Sequence, residues 1–321
     1  MKYRRLGRTE LMVSEVGFGA WAIGGHGWGP TDDSESLAAL KRAFELGVNF
    51  IDTADVYGAG HSEQVIGEAI KGKREKFIVA TKFGNDFYGR LEGKYDLRAD
   101  FSAGYTLSAV EKSLSRLKTD YIDLIQLHAT RVPGAEQVEA FDALEKMKEQ
   151  GKVRFIGVSV KSVQDALDCI NGGRADTVQL VYNMLQQDMA KEALPLAQEK
   201  DVGVIAREPL RSGLLAAKWN ADWEFHPHDF RRYRFRGERF EKALGIVEEL
   251  KFLLGTGSNT MAQAAIRFVL SHPAVSVVIP GGRRPSQVED NVSASDAGPL
   301  SEDELRRISR IVPQDLPEDA D

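Results

Sequence analysis

Short apolar runs alternate with amphipathic stretches along the whole chain. The runs occupy residues 16–21, 48–52, 77–82, 121–128, 153–160, 177–182, 203–207 and 275–279. They are rich in Val, Ile, Leu and Phe, the pattern of strands buried on both faces. Between them apolar residues recur at helical spacing, most plainly Val138, Phe141, Leu144 and Met147. That periodicity predicts helices over 34–46, 62–70, 106–117, 138–150, 162–170 and 190–200, another starting near Ser286, and a last one over 301–311. Capping residues Thr31, Asp32, Asp33 and Ser34 precede the first helix and Ser62 the second, while Gly47, Gly72 and Gly151 follow helix ends. Eight strand–helix units in strict alternation predict an α/β fold with a parallel sheet covered by helices. That number in 321 residues favours a closed (β/α)8 TIM barrel as one domain over 1–321.

The rival architecture is an open, doubly wound sheet, whose glycine fingerprint is missing. Gly17-Phe18-Gly19 follows a strand, but Ala20-Trp21-Ala22 comes next, without the third glycine that opens a helix. Two irregular stretches, 84–104 and 209–239, are long enough to be lids or binding loops over the C-terminal face of a barrel. The tail 313–321, rich in Asp, Glu and Pro, is expected to be mobile.

Composition narrows the function classes. A net charge of −6 argues against a nucleic-acid or membrane-surface partner. No apolar run approaches the ~18 residues of a membrane span, and Met1-Lys2-Tyr3-Arg4-Arg5-Leu6 has no apolar signal core. A cytoplasmic protein is the expectation. The single cysteine, Cys169, leaves no internal disulfide and reads as a buried thiol. His226 and His228 form an H-x-H, but beside Pro227 in a loop they are not expected to hold a metal. The basic and aromatic cluster Arg231–Arg236 reads as a lid or a solvated face in an acidic protein.

Four residues carry the candidate chemistry. Asp52, Lys82 and His128 each end an apolar run, and Tyr57 lies five residues beyond Asp52. A titratable group at a strand end is costly to bury unless it is paired or functional. A lysine ammonium would lower the pKa of a tyrosine phenol from about 10, and a carboxylate would hold the lysine in place. A neutral histidine could orient a carbonyl oxygen beside the phenol. The set suits protonation of a carbonyl oxygen while another group delivers hydride. No serine elbow or phosphate-loop lysine points to acyl or phosphoryl transfer.

The same residues carry a resemblance. The stretch Phe50-Ile51-Asp52-Thr53-Ala54-Asp55-Val56-Tyr57-Gly58, followed by Ser62-Glu63 and Ile66-Gly67, resembles the signature of the aldo-keto reductase superfamily. Further matches are Tyr3-Arg4-Arg5-Leu6-Gly7-Arg8-Thr9, Ala80-Thr81-Lys82, Tyr121-Ile122-Asp123-Leu124, Gly157-Val158-Ser159, Glu208-Pro209-Leu210 with Gly213-Leu214-Leu215, and Ile279-Pro280-Gly281. The resemblance implies a barrel with an N-terminal β-hairpin that reduces aldehydes and ketones, or oxidises their alcohols, with NADPH, NADH being the alternative cofactor. It implies Tyr57 as general acid/base, Lys82 and Asp52 as its tuning pair, and His128 as the carbonyl-orienting residue. Trp21, Tyr57 and His128 would meet the substrate.

For the cofactor, the resemblance implies Gly19, Ala20, Trp21 and Asp52 at the nicotinamide ribose end, Ser159 and Gln179 on the carboxamide, and Arg207 stacked on the ring. Pro209, Leu210, Ser212, Gly213 and Leu215 would approach the pyrophosphate. Ile279, Gly281, Gly282, Arg283, Gln287, Asp290 and Asn291 would clamp the adenosine phosphate, with Ser286 capping the helix there. Two departures accompany these matches. Val160 stands where the family usually has Asn, and Ala129-Thr130-Arg131 replaces the usual residues after His128. Two other functions stay open at this point: a lyase or isomerase using Lys82 as a Schiff base, and a reductase-like regulatory subunit serving a partner protein.

Overall fold

The computed structural model describes residues 1–25, 27–87, 98–128 and 135–313. An antiparallel hairpin comes first, β1 (Tyr3–Arg5) paired with β2 (Met12–Ser14). Eight parallel strands follow: β3 (Phe18–Gly19), β4 (Phe50–Asp52), β5 (Ile78–Phe83), and then, after a short hairpin of β6 (Asn85–Asp86) and β7 (Arg98–Ala99), β8 (Ile122–His128), β9 (Val153–Ser159), β10 (Thr177–Val181), β11 (Gly203–Arg207) and β12 (Val275–Val278). They form one sheet in that spatial order. The sheet closes on itself: Gly17 N–H donates to Val278 O at 2.8 Å, Val278 N–H to Glu15 O at 2.9 Å, and Gly19 N–H to Pro280 O at 3.0 Å. Closure needs a glycine at position 19, because a Cβ there would lie 2.7 Å from Ile279 O. The result is the barrel expected from the alternation.

Helices α1 (Asp33–Glu45), α2 (His61–Ala69), α3 (Ala103–Leu117), α4 (Ala135–Glu149), α5 (Val163–Gly172) and α6 (Ala193–Glu199) cover the outside, each after its strand. The long connection after β11 holds a short α7 (Arg231–Arg234), α8 (Gly237–Glu249) and α9 (Met261–Leu270). Neither α8 nor α9 was among the helices expected from periodicity; α8 buries Phe240, Ala243 and Val247, and all ten residues of α9 are buried. Helices α10 (Pro285–Ala297) and α11 (Glu302–Ile311) complete the shell. Asp32 caps α1 as expected, accepting from the Ser34 and Glu35 amides. Ser286 does not cap α10: Arg284 is at that position, and Pro285 opens the first turn where a missing N–H costs nothing.

Side chains alternate along each strand. Outward residues such as Ile51, Val79, Ile125, Val158 and Val204 pack against the helices. Inward, Phe50, Ala80, Leu124, Ile205 and Val277 make an apolar layer, plugged from the N-terminal side by Leu6, Leu11 and Val13. Two residues further along, the same inward face turns polar: Asp52, Lys82, Gln126, Ser159, Gln179 and Arg207. A buried polar layer on a dry plug must satisfy itself, and its internal bonds define the site.

Candidate active site

Lys82 lies at the centre of that layer with its ammonium fully buried. It donates to Asp52 Oδ1 at 2.6 Å, to Thr53 O at 2.8 Å and to Tyr57 Oη at 3.4 Å. Asp52 Oδ2 accepts from Gln179 Nε2 at 2.7 Å and from Gln126 Nε2 at 3.1 Å. Tyr57 is carried by the turn after β4. Gly58 turns the chain there in the left-handed region (φ 62°), where a Cβ would collide with Gly24 O. This packing holds the phenol over the strand ends. The His128 ring meets Tyr57 edge-on, with centroids 5.8 Å apart, and Trp21 lies nearly parallel to Tyr57 at 6.0 Å.

Burial dominates the electrostatics. It raises the Tyr57 phenol above its ordinary value; the Lys82 charge pulls the other way without reversing the shift. The sequence suggested a lowered value, because the lysine is visible in it and the desolvation is not. Burial alone would lower the Lys82 ammonium, but the Asp52 and Tyr57 interactions more than offset it, so the net shift is upward. His128 is driven well below its usual range, first by burial and then by the charges of Lys82, Arg207 and Lys161. It is therefore neutral at physiological pH. Its Nδ1 is buried with no partner among the described residues. The site thus presents a neutral phenol backed by an ammonium, and a neutral imidazole beside it. With all three ammonium protons directed at Asp52, Thr53 and Tyr57, Lys82 offers no lone pair for a Schiff base.

A cavity of ≈ 730 Å³ opens above this layer at the C-terminal strand ends, within the roughly 300–1,000 Å³ usual for ligand sites. Gly19, Ala20, Trp21, Asp52, Tyr57, His128, Ser159, Gln179, Arg207, Pro209, Leu210, Ser212, Gly213, Ile279, Gly281, Gly282, Arg283 and Gln287 all line it. Lys82 reaches it only through Tyr57 and Asp52. Leu215 is fully buried behind the wall. Asp290 accepts from Thr260 Oγ1 and Gln263 Nε2, both at 2.8 Å, and Asn291 donates to Gly281 O at 3.2 Å. Neither of those two lines the cavity. Residues 129–131, where the chain departs from the family pattern, lie outside the described residues, as does 314–321.

Several wall residues were not singled out from the sequence. Trp28 and Phe230 join Trp21 in an aromatic box: Phe230 stacks on Trp21 at 5.2 Å, and Trp28 stands edge-on to both at 5.1 Å. Arg231 lies over Trp28, Trp219 and Phe225 and is clamped by Asp229 at 2.6 Å. Arg234 donates to Glu208 at 2.9 Å and to Ser212 Oγ at 2.8 Å. These bonds hold a wall in which Glu208, Arg211 and Ser212 all have positive φ, a strain that only a well-tied segment sustains. Of the basic cluster, Arg231 lines the cavity and Arg234 ties its wall, while Tyr233 is exposed. The length of 209–239 pointed to the C-terminal face, but no signal in the sequence pairs Phe230 with Trp21 or Arg231 with Trp28.

Although the chain carries a net charge of −6, Lys161, Arg207, Lys218, Arg231 and Arg283 line the cavity against the carboxylates of Asp52 and Glu208. A cationic, glycine-lined cleft fits a phosphate-bearing dinucleotide, and the buried Nε of Arg207 has no partner among the described residues.

The chain is similar to known proteins over nearly its whole length. A model of the Aldo/keto reductase family matches residues 15–313. The chain belongs to the aldo/keto reductase family. The oxidoreductase YqkF of Bacillus subtilis (strain 168) is 33% identical over 318 residues, 98% of both chains. The glycerol dehydrogenase AKR11B4 from Gluconobacter oxydans is similar in structure with a TM-score of 0.85 at 32% identity, covering 97% of this chain and 94% of that one. The holo form of the aldo-keto reductase AKR11C1 from Bacillus halodurans gives 0.81 at 32% identity, covering 98% and 97%. This aldo-keto reductase is thus an oxidoreductase of carbonyl or alcohol groups that uses a nicotinamide cofactor. Among the described residues no helix is long and apolar enough to cross a membrane, and no cluster of three or more His, Cys, Asp or Glu side chains is arranged around a cation.

Proposed function

We propose that this reductase uses NADPH to convert a small aldehyde or ketone to its alcohol, reversibly and in the cytoplasm, with Tyr57 as general acid/base. The bound nicotinamide supplies or accepts the hydride. Tyr57 gives its phenolic proton to the carbonyl oxygen. Lys82, anchored by Asp52 and the Thr53 carbonyl, offers its ammonium to the phenolate oxygen that results. The neutral His128 ring donates to the substrate oxygen, and Trp21 bounds the substrate on its open side and excludes water. Ser159 and Gln179 are the residues that would hold the carboxamide, Arg207 the nicotinamide face, and Leu210, Ser212 and Gly213 the pyrophosphate. Arg283 and Gln287 would hold the adenosine end. Arg283 favours the 2′-phosphate of NADPH over NADH, because a guanidinium in a half-buried site pairs strongly with phosphate.

The observation that carries the reading is the single buried ammonium shared by Asp52 and the Tyr57 hydroxyl beside a neutral histidine. Its test is Tyr57→Phe, which keeps the ring and removes the proton. NADPH binding, read from quenching of tryptophan fluorescence, should be unchanged, and turnover on a panel of carbonyls should fall by about 10²- to 10⁴-fold. Full activity in the variant would remove Tyr57 from the acid/base role.

A further inference from the structure

Gln126 plays no part in the chemistry above, yet its amide is fully buried in the polar layer and bonded at both ends. It lies on β8, paired in register with Lys82 on one side and Gly157 on the other. Its Nε2 donates to Asp52 Oδ2 at 3.1 Å, and its Oε1 accepts from Gln179 Nε2 at 3.2 Å. Gln179 Nε2 also donates to Asp52 Oδ2, at 2.7 Å. A primary amide has two N–H donors, and here both of Gln179's are used. Turning that amide over would set its oxygen against Asp52 Oδ2 and Gln126 Oε1, three acceptors without a proton between them, in a buried site.

We infer that Gln126 is a positioning residue that locks the Gln179 amide with its carbonyl oxygen toward the cavity, so that the site selects a cofactor ring bearing a hydrogen-bond donor. The inference rests on the nicotinamide reading of the cavity. Gln179 then presents an acceptor only, matched to the NH2 of a carboxamide. The neighbouring Val160 side chain has no polar atom to share the task. Asp52 alone would hold one Gln179 N–H. Without Gln126 the second N–H is released, the amide plane can rotate, and a donor becomes available to the ligand. Gln126 thereby links the group that anchors Lys82 to the group that reads the cofactor.

The test measures dissociation constants of three oxidised dinucleotide phosphates by quenching of tryptophan fluorescence: the carboxamide, its 3-acetylpyridine analogue, which lacks the NH2, and the nicotinic acid analogue, which puts a carboxylate opposite the Gln179 oxygen. The native protein should bind the carboxamide best, the acetyl form less well and the acid weakest. In Gln126→Leu and Gln126→Met the preference for carboxamide over acetyl should shrink by about 3- to 10-fold, the worth of one hydrogen bond. A merely structural role would weaken all three ligands alike. Equal binding of acid and carboxamide by the native protein would overturn the inference without any variant. An unchanged preference in variants with native circular dichroism would overturn it too. If the native protein bound none of the dinucleotides, the cofactor reading and this inference would fall together.

Discussion

Removing the Lys82 ammonium should separate the energetics of the buried layer from its chemistry. In Lys82→Met the stem is kept and the charge is lost. Asp52 then retains only the amide donors of Gln126 and Gln179, in a site where the paired side chains are 1% and 3% exposed. A buried charge stripped of its partner costs about 3–5 kcal/mol. For 321 residues, an unfolding entropy of roughly 2 cal/mol/K per residue turns that cost into a fall in Tm of about 6 °C. Removing both charges, in Asp52→Asn with Lys82→Met, should recover most of this loss, since the double variant leaves a neutral layer with amide donors and acceptors. Turnover should not recover, because the phenol has lost the cation that opposes its burial. Urea denaturation followed by far-UV circular dichroism on the native protein, both single variants and the double variant gives the coupling energy. A single-variant cost below about 1 kcal/mol, or a double variant no more stable than the single, would refute the account of an uncompensated buried charge.

Two further outcomes follow from neighbouring residues. Asp55 is fully buried, neither carboxylate oxygen has a side-chain donor among the described residues, and burial together with the Glu63 charge raises its pKa well above the usual range. A carboxyl with a raised folded-state pKa loses stability as pH rises from about 4, the unfolded value. Asp55→Asn should therefore match the native protein in denaturant titrations below pH ~4 and exceed it by about 1–3 kcal/mol at neutral pH, the cost of keeping an ill-solvated carboxylate buried; a less stable variant at neutral pH would mean that the ionised form is required. Arg283 lines the cavity and donates to Trp28 O at 3.2 Å, so Arg283→Ala should weaken NADPH binding by about 10- to 100-fold while leaving NADH nearly unchanged. Isothermal titration with both nucleotides reads the difference, and equal losses for the two would place Arg283 away from the 2′-phosphate.

The architecture was legible because its strands are continuous apolar runs and its helices mostly show one apolar face. Helices α8 and α9 escaped, α9 because all of its residues are buried and α8 despite an apolar face of Phe240, Ala243 and Val247. The tetrad was legible for a related reason: Asp52, Lys82 and His128 interrupt apolar runs at their ends, where a polar residue has to be explained. Gln126 sits inside such a run and passed as part of the strand. Its partners Asp52 and Gln179 are 74 and 53 residues away, and only barrel closure brings the three together. Trp28 and Phe230 were hidden in the same way, since the wall they build exists only once the loops after β3 and β11 meet; Arg231 stood out as part of a basic cluster, but not its stacking on Trp28.

What the chain determined by itself was the alternation that makes a barrel and the kinds of side chain at its strand ends, because periodicity and burial cost are local properties. Tertiary structure decided which of those side chains touch, and so the direction in which each titrates. Tyr57 shows the difference: composition supplied a lysine to lower its pKa, but the depth at which the barrel buries the phenol sets the net shift upward. Desolvation sums over everything packed around a group, and no stretch of sequence contains that sum.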